Sequence, residues 1–420
     1  MKNNVAKTPP MGWNSWDCYG DSVNEEQLLG NARYMAEHLK QYGWEYVVCD
    51  IQWSEPTADG YAYHNFYPLC MDEYSRLIPS PERFPSSALG RGFAPIAEKI
   101  HAMGLKFGIH IMRGIPRQAV HSNTPIKCEG VTARDIAAQF SVCPWNTDMY
   151  GVNPDAKGAR EYYDSLFELY ASWGVDFVKC DDIANTEFLK DNPYSARREI
   201  ELLRSAIDNC GRDMVLSLSP GPAPVSEHEH LAANANMWRI TGDFWDDWDK
   251  LHNMFERCST WQDYVTPCAW PDCDMLPLGR LQVCDGGRQT RFTKDEQITM
   301  MTLWSIFRSP LMIGAEMRDN DEFTLSLLTN PELTDMLKNS HGARMIKNTE
   351  KDDKGEIIWA SEGENCRYYA LFNTDDTGRE IEIPATSSVI RDMWKREDIK
   401  NPGRVSVPSH GAKLYKEMIK

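Results

Sequence analysis

The chain repeats one hydrophobic pattern: a short run of apolar residues, a turn, and then a longer stretch with apolar side chains at helical spacing. The clearest helical stretches are Glu25–Gln41, Ala159–Trp173 and Ala196–Asn209. The short runs predict eight strands: Met11–Trp16, Tyr46–Asp50, Phe107–Met112, Asp176–Asp181, Met214–Ser219, Trp238–Asp243, Tyr264–Trp270 and Leu311–Ala315. Eight strands that alternate with helices predict a closed (β/α)8 TIM barrel, an α/β fold.

An open, doubly wound sheet is the alternative architecture for this alternation. The glycine-rich phosphate motifs that often accompany such a sheet, GxGxxG and GxxxxGK[ST], are absent from the sequence. The barrel is therefore the favoured fold.

The pattern changes after about Lys338, where helical spacing gives way to short alternating runs separated by turn signals. These runs predict four strands: Ile357–Ala360, Tyr368–Phe372, Glu380–Ile383 and Val405–Val407. We therefore expect a catalytic barrel at residues 1–337 and a C-terminal antiparallel β-sandwich domain at residues 338–420.

Composition narrows the range of partners. The 420 residues include 45 Lys and Arg against 62 Asp and Glu, a net charge of −17, which argues against nucleic acids and membrane surfaces as partners. No apolar run approaches the roughly 18 residues that span a bilayer, and the N-terminus lacks the apolar core of a secretory signal. The 12 cysteines show no CxxC or zinc spacing, which is typical of reduced thiols. We expect a cytoplasmic protein, or a periplasmic or secreted one if a signal peptide was removed.

Polar residues recur where the predicted strands end. Side chains alternate between the two faces of a strand, so inward-facing polar residues at strand ends lie at the C-terminal mouth, where barrel enzymes have their sites. Six predicted strands have such a residue at or near their C-terminal ends: Asp50, His110, Asp181, Ser219, Asp243 and Asp274. Any single one is explained as a helix cap or turn residue. Six at one mouth indicate a functional site.

The chemistry at this mouth is that of carboxylates. The sequence has no G-x-S-x-G elbow, no HExxH motif and no histidine cluster, so we expect no metal and no other cofactor. A pair of acids suits glycoside hydrolysis, in which one carboxylate attacks and the other protonates the leaving oxygen. Lys179 lies two residues before Asp181 on the same face. A cation at that place keeps a carboxylate ionised, as a nucleophile requires.

Six motifs along the barrel resemble those of one enzyme family. They are TPPMGWNSW at 8–16, CDIQW at 49–53, FGIH at 107–110, VKCD at 178–181, WRITGD at 238–243 and DCDML at 272–276. In this order they resemble glycoside hydrolase family 27, the family of α-galactosidases and α-N-acetylgalactosaminidases. The resemblance implies a retaining exo-glycosidase that acts by double displacement on glycans ending in galactose or arabinopyranose. It is also compatible with a homo-oligomer.

The resemblance implies a role for individual residues. Asp181 matches the family's nucleophile and Asp243 its acid/base. Trp16 matches an aromatic residue on the pocket floor, and Asp50 matches the carboxylate that holds the 4-hydroxyl region of the sugar. Three further residues match polar groups that line the same pocket: Lys179, Arg239 and Asp274.

Ile51 departs from the family pattern, which usually has two consecutive acids at this place. An isoleucine accepts no hydrogen bond from a 6-hydroxyl and fills the space of a hydroxymethyl group, and an unpaired buried hydroxyl costs about 1–3 kcal/mol. A β-L-arabinopyranoside is an α-D-galactoside without that hydroxymethyl group. Ile51 therefore favours the pentose, as in the β-L-arabinopyranosidases of the family. The alternative is that Ile51 points into the barrel wall and contacts no sugar.

Two other departures leave alternatives open. Ser219 stands where α-galactosidases have a glutamate near the 2-hydroxyl, and a small residue there is also found in α-N-acetylgalactosaminidases. His110 stands where a tyrosine is common, and it is either a hydrogen-bonding partner of the sugar or a core histidine. Outside the enzymes, the alternative is a non-catalytic sugar-binding barrel.

Overall fold

A computed structural model describes residues 2–186, 188–189 and 191–419. Its larger sheet has eight parallel strands in the order in which they follow along the chain, and the eighth pairs with the first. They are β1 (Met11–Asn14), β2 (Tyr46–Cys49), β3 (Lys106–Met112), β4 (Phe177–Asp181), β5 (Val215–Leu218), β6 (Met237–Arg239), β7 (Trp270–Asp272) and β8 (Leu311–Ile313). A parallel bridge between Leu276, just past β7, and Ile313 of β8 closes the ring. The predicted (β/α)8 barrel is confirmed.

One predicted strand is wrong. The run Tyr264–Trp270 is not a strand: Gln262–Tyr264 is a 3₁₀ turn, and β7 begins at Trp270. Pro267 explains the difference, because proline lacks the amide hydrogen that a strand inside a sheet must donate. The other seven predicted strands each overlap an observed strand.

Helices connect the strands on the outside of the barrel. They are α1 (Trp16–Tyr19), α2 (Glu25–Tyr34), α3 (Ala94–Ala102), α4 (Arg117–Ser122), α5 (Ala133–Ile136), α6 (Ala159–Ser172), α7 (Arg197–Asn209), α8 (His228–Asn234), α9 (Trp248–Trp261), α10 (Lys294–Phe307), α11 (Glu322–Leu328) and α12 (Pro331–Asn339). The predicted helix Glu25–Gln41 begins at a capping box formed by Asn24 and Gln27. Past Tyr34 it continues as a π-turn and a 3₁₀ turn that ends at Tyr42. Within the described part of the chain, no helix is long and apolar enough to span a membrane.

Alternation along the strands separates two cores. Inward-facing side chains fill the barrel with an apolar cluster: Tyr46, Val48, Phe177, Val215, Met237, Trp270 and Met312. Their neighbours, such as Val47, Val178 and Trp238, belong to the larger core beneath the helices. This arrangement agrees with the predicted faces, and it directs the polar residues that end the strands toward the C-terminal mouth.

The C-terminal part of the chain is antiparallel. Its strands are β9 (His341–Asn348), β10 (Glu356–Gly363), β11 (Cys366–Asn373), β12 (Arg379–Glu382), β13 (Val389–Asp392), β14 (Glu397–Lys400), β15 (Arg404–Val407) and β16 (Ala412–Met418). Six form one sheet in the order β9-β10-β11-β16-β13-β14, and β12 pairs with β15 in a separate ribbon.

The ribbon packs on one face of the six-stranded sheet, which makes the predicted sandwich. Ile381 and Val407 of the ribbon share an apolar cluster with Leu371 of the sheet. On the opposite face of the sheet, Trp359 and Phe372 join the core beneath the barrel helices. The boundary expected between residues 337 and 338 falls inside α12 and stays a prediction.

Candidate active site

A cavity of about 340 Å³ opens at the C-terminal ends of the barrel strands. This volume is in the range of small-molecule sites, about 300–1,000 Å³. Nine of the ten residues singled out in the sequence line it: Trp16, Asp50, Ile51, His110, Lys179, Asp181, Arg239, Asp243 and Asp274. They come from the ends of different strands, and barrel closure brings them together.

Ser219 is the exception. It is buried at the end of β5, where its backbone N–H donates to Cys180 and its carbonyl accepts from Ile183. The next two residues, Pro220 and Gly221, line the cavity in its place. A Cβ at Gly221 would lie 2.2 Å from the Thr241 carbonyl, so this loop packs directly on the chain that follows β6.

Asp181 lies at the end of β4 and is 8% exposed. Its Oδ2 accepts a hydrogen bond from His110 Nε2 at 3.1 Å, and its Oδ1 accepts one from the backbone N–H of Asp182 at 3.0 Å. Burial alone would raise the pKa of Asp181. The His110 hydrogen bond and the charge of Lys179 outweigh burial and hold that pKa well below its ordinary value. The side chain is therefore a carboxylate at neutral pH.

Asp50 and Lys179 form a buried ion pair beside Asp181. Lys179 Nζ lies 3.0 Å from Asp50 Oδ2, which also accepts a hydrogen bond from Asn14 Nδ2 at 2.7 Å. Burial opposes ionisation of Asp50, but the charge of Lys179 and the hydrogen bond from Asn14 lower the pKa of Asp50 below its ordinary value. The same pairing raises the pKa of Lys179 despite its burial. Both side chains are charged and fixed in place.

Arg239 joins two further carboxylates at the end of β6. Its Nη2 lies 2.8 Å from Asp274 Oδ2 and 3.1 Å from Asp243 Oδ1. Burial, opposed by Arg239, raises the pKa of Asp274 to about 7. The side chain of Asp243 is 67% exposed, whereas that of Asp274 is 8% exposed. One guanidinium thus holds a buried acid on one side and an acid at the open mouth on the other.

Ile51 and His110 both line the cavity. Ile51 lines the cavity and is 3% exposed, with Met112, Cys143 and Met149 packed behind it. His110 is 2% exposed, and its ring contacts Asp181. Because a carboxylate can only accept, His110 Nε2 carries the hydrogen of this bond.

Asp17 is an acid in the cavity wall that the sequence reasoning missed. It is 2% exposed, and its Oδ2 has no hydrogen-bond partner among the described residues. Burial and the nearby charge of Asp274 raise the pKa of Asp17 well above its ordinary value. The only signal in the sequence is its place directly after Trp16, in the first motif.

Four of the five rings of an aromatic wall were also missed. Tyr61, Tyr63, Trp145 and Trp245 line the cavity together with Trp16. They lie in long connections after β2, β3 and β6, where the sequence offers no strand register to place them. Across the described residues, no group of three or more His, Cys, Asp or Glu side chains is arranged to hold a metal ion.

Comparison with known proteins places this geometry in a family. The Alpha galactosidase A family profile matches residues 152–338, and the Alpha galactosidase C-terminal beta sandwich domain profile matches residues 353–416. A GH27 β-L-arabinopyranosidase from Geobacillus stearothermophilus is 53% identical in sequence. The alignment covers 99% of this chain and 97% of that one, with a TM-score of 0.94. The chain belongs to glycoside hydrolase family 27.

This membership makes the chain a glycoside hydrolase, as the carboxylate-rich mouth predicts. More distant members of family 27 match over nearly the whole chain. Alpha-galactosidase 2 of Arabidopsis thaliana is 26% identical, with 99% of this chain and 90% of that protein covered. Alpha-galactosidase A of Cellvibrio japonicus is also 26% identical, with 97% of this chain and 91% of that protein covered.

Proposed function

We propose that this enzyme is a retaining exo-glycosidase that releases terminal β-L-arabinopyranose and acts more slowly on terminal α-D-galactosides. The observation that carries the choice of sugar is Ile51, whose buried side chain forms the cavity wall directly after Asp50. An isoleucine there offers apolar contact to C5 of a pentose and no acceptor to a 6-hydroxyl. The 53% identical relative is itself a β-L-arabinopyranosidase, which supports the same choice.

Asp181 is the nucleophile in this proposal. Its low pKa and its contact with His110 give an oriented, unprotonated carboxylate at the cavity floor. An Asp181 oxygen attacks the anomeric carbon while the bond from that carbon to the leaving oxygen breaks. The product of this step is an ester between the sugar and Asp181.

Asp243 is the general acid and base. Its exposed position at the mouth faces the side from which a leaving group departs. In the first step Asp243 gives its proton to the leaving oxygen. In the second it takes a proton from a water molecule whose oxygen attacks the anomeric carbon, and this attack frees Asp181. Two inversions at the same carbon retain its configuration.

The remaining polar groups bind the sugar. The Asp50–Lys179 pair and the Arg239–Asp274 pair present fixed charged donors and acceptors to ring hydroxyls. Trp16 offers an apolar face beside them. Because a cavity of this size and lining receives a chain end, the action is exo.

The α-N-acetylgalactosaminidase alternative rested on a small side chain at Ser219 facing the sugar. That side chain does not line the cavity, so Ser219 itself gives this alternative no support. The twelve free cysteines are the observation that supports a cytoplasmic location.

The first test compares kcat/KM on p-nitrophenyl β-L-arabinopyranoside and p-nitrophenyl α-D-galactoside. We expect a ratio above about ten for the pentose, since an unpaired hydroxyl costs about 1–3 kcal/mol. A ratio below one would overturn the choice of sugar. The Asp181→Asn variant should lose turnover by at least about 10⁴-fold while it still binds arabinose. Retained turnover would overturn the role of Asp181.

A further inference from the structure

One wall of the cavity has no role in the proposed chemistry beyond the sugar contact of Trp16. Five aromatic rings follow one another along this wall: Trp145, Tyr63, Trp16, Tyr61 and Trp245. Successive ring centroids are 5.9, 6.0, 5.5 and 6.4 Å apart. All five side chains are partly exposed, so the row presents an apolar surface that passes through Trp16 at the sugar-binding floor and reaches the loop of the general acid.

Trp245 forms the end of this row nearest to Asp243. It follows Asp243 by two residues, and Tyr61 packs edge-on against it. The Tyr61 hydroxyl donates to the Asp17 carbonyl at 2.8 Å, which fixes the tyrosine ring from behind. The two rings are therefore held edge to face, at an interplanar angle of 66°, next to the place where the leaving group must depart.

The loop holds Trp245 rigidly from both sides. Phe244 before it is buried against Trp304, and its backbone N–H donates to Asp274 at 2.8 Å. Asp246 after it is buried and accepts from Arg288 Nη2 at 2.8 Å. The Arg288 guanidinium also lies 5.9 Å from the Trp245 ring centroid. A partly exposed tryptophan on an anchored loop is a preorganised surface for a ring to stack upon.

We propose that Trp245 and Tyr61 form a leaving-group subsite that accepts a second pyranose ring by stacking. This inference rests on the proposed function and extends it from the released sugar to the sugar that it is attached to. The natural substrate is then an arabinopyranose linked to another sugar ring, rather than to a small alcohol. A ring stacked here also covers the Asp243 carboxyl, whose side chain is 67% exposed.

Covering Asp243 affects its role as the general acid. A sugar alkoxide is a poor leaving group and needs its proton delivered as the bond breaks. Displacing water from around Asp243 strengthens its hydrogen bond to the leaving oxygen. A fluoride leaving group is too small to stack and needs little protonation. A glycosyl fluoride is therefore the matched control for a disaccharide substrate.

The test measures kcat/KM of Trp245→Ala on two substrates: a disaccharide with β-linked L-arabinopyranose on a hexose, and β-L-arabinopyranosyl fluoride. We expect a loss of about tenfold or more on the disaccharide and less than about threefold on the fluoride. Trp245→Phe keeps a ring and should recover most of the disaccharide activity. Trp145→Ala, at the far end of the same row, should change both substrates by the same factor.

Equal losses on the two substrates for Trp245→Ala would overturn the subsite. So would a disaccharide-selective loss of the same size in Trp145→Ala. Thermal unfolding of each variant reports whether the fold is intact, and the Trp245→Phe result decides the matter if the alanine variant is unstable. Failure of the proposed function has a different signature: the unsubstituted enzyme would hydrolyse neither compound, or Asp181→Asn would still turn over the fluoride.

Discussion

Replacing Ile51 with aspartate tests the basis of sugar choice directly. Ile51 is 3% exposed, lines the cavity and follows Asp50, so an aspartate at this place puts a carboxylate beside the hydroxymethyl group of a galactoside. The new acceptor pairs a hydroxyl that Ile51 leaves unpaired. That pairing is worth about 1–3 kcal/mol, or roughly 5- to 150-fold in kcat/KM.

The pentose should lose activity in the same variant. Its C5 contacts the apolar Ile51 side chain in the proposed complex, and each buried methylene contributes about 0.8 kcal/mol. The ratio of galactoside to arabinopyranoside activity should therefore rise by about 5- to 150-fold or more. The assay is kcat/KM on the two p-nitrophenyl glycosides, with variant and parent measured at the same pH.

Two companion variants separate specificity from stability. An aspartate in contact with Met112 and Met149, beside Asp50, buries charge and lowers the free energy of unfolding. Ile51→Asn supplies a neutral acceptor and should raise the ratio with less destabilisation. Ile51→Val stays apolar and should leave the ratio within about fourfold of the parent value. An unchanged ratio in both polar variants, with unfolding temperatures showing folded protein, would refute the role of Ile51.

Three further predictions concern the charged groups. His110→Phe removes the donor that lowers the pKa of Asp181, so the acid limb of kcat/KM should move to higher pH, whereas His110→Asn should shift it less. Asp17→Asn should raise the free energy of unfolding at pH 8. The gain should shrink as the pH falls toward 4. Folding raises the pKa of Asp17, so Asp17 lowers the free energy of unfolding only at pH values where its carboxyl is ionised in the unfolded chain. Lys179→Met should lower the free energy of unfolding by about 3–5 kcal/mol, measured with urea, because it leaves Asp50 buried and unpaired. Asp50→Asn in the same chain should recover part of that loss.

Strand periodicity explains why so much of the site was predictable. A residue at the end of a barrel strand has a fixed face and a fixed edge, so Asp50, Asp181 and Asp274 could be assigned to one mouth without coordinates. Ser219 shows the limit of this reasoning. It has the inward parity, but the chain turns directly after β5, and Pro220 and Gly221 take its place in the cavity.

By itself, the sequence determined the barrel, the C-terminal sandwich and nine of the residues that line the cavity. These follow from local periodicity and motif order, both of which can be read along the chain. Which residues far apart in sequence come into contact was decided only by the tertiary structure. The His110–Asp181 contact forms because β3 and β4 are neighbours in the closed sheet, and the Asp17 Oδ2 that has no partner among the described residues lies in α1, directly after β1. The row of rings from Trp145 to Trp245 depends on how long connections fold over the mouth. No period in the sequence encodes such packing, because loop side chains are placed by their neighbours in space and not by a repeating backbone geometry.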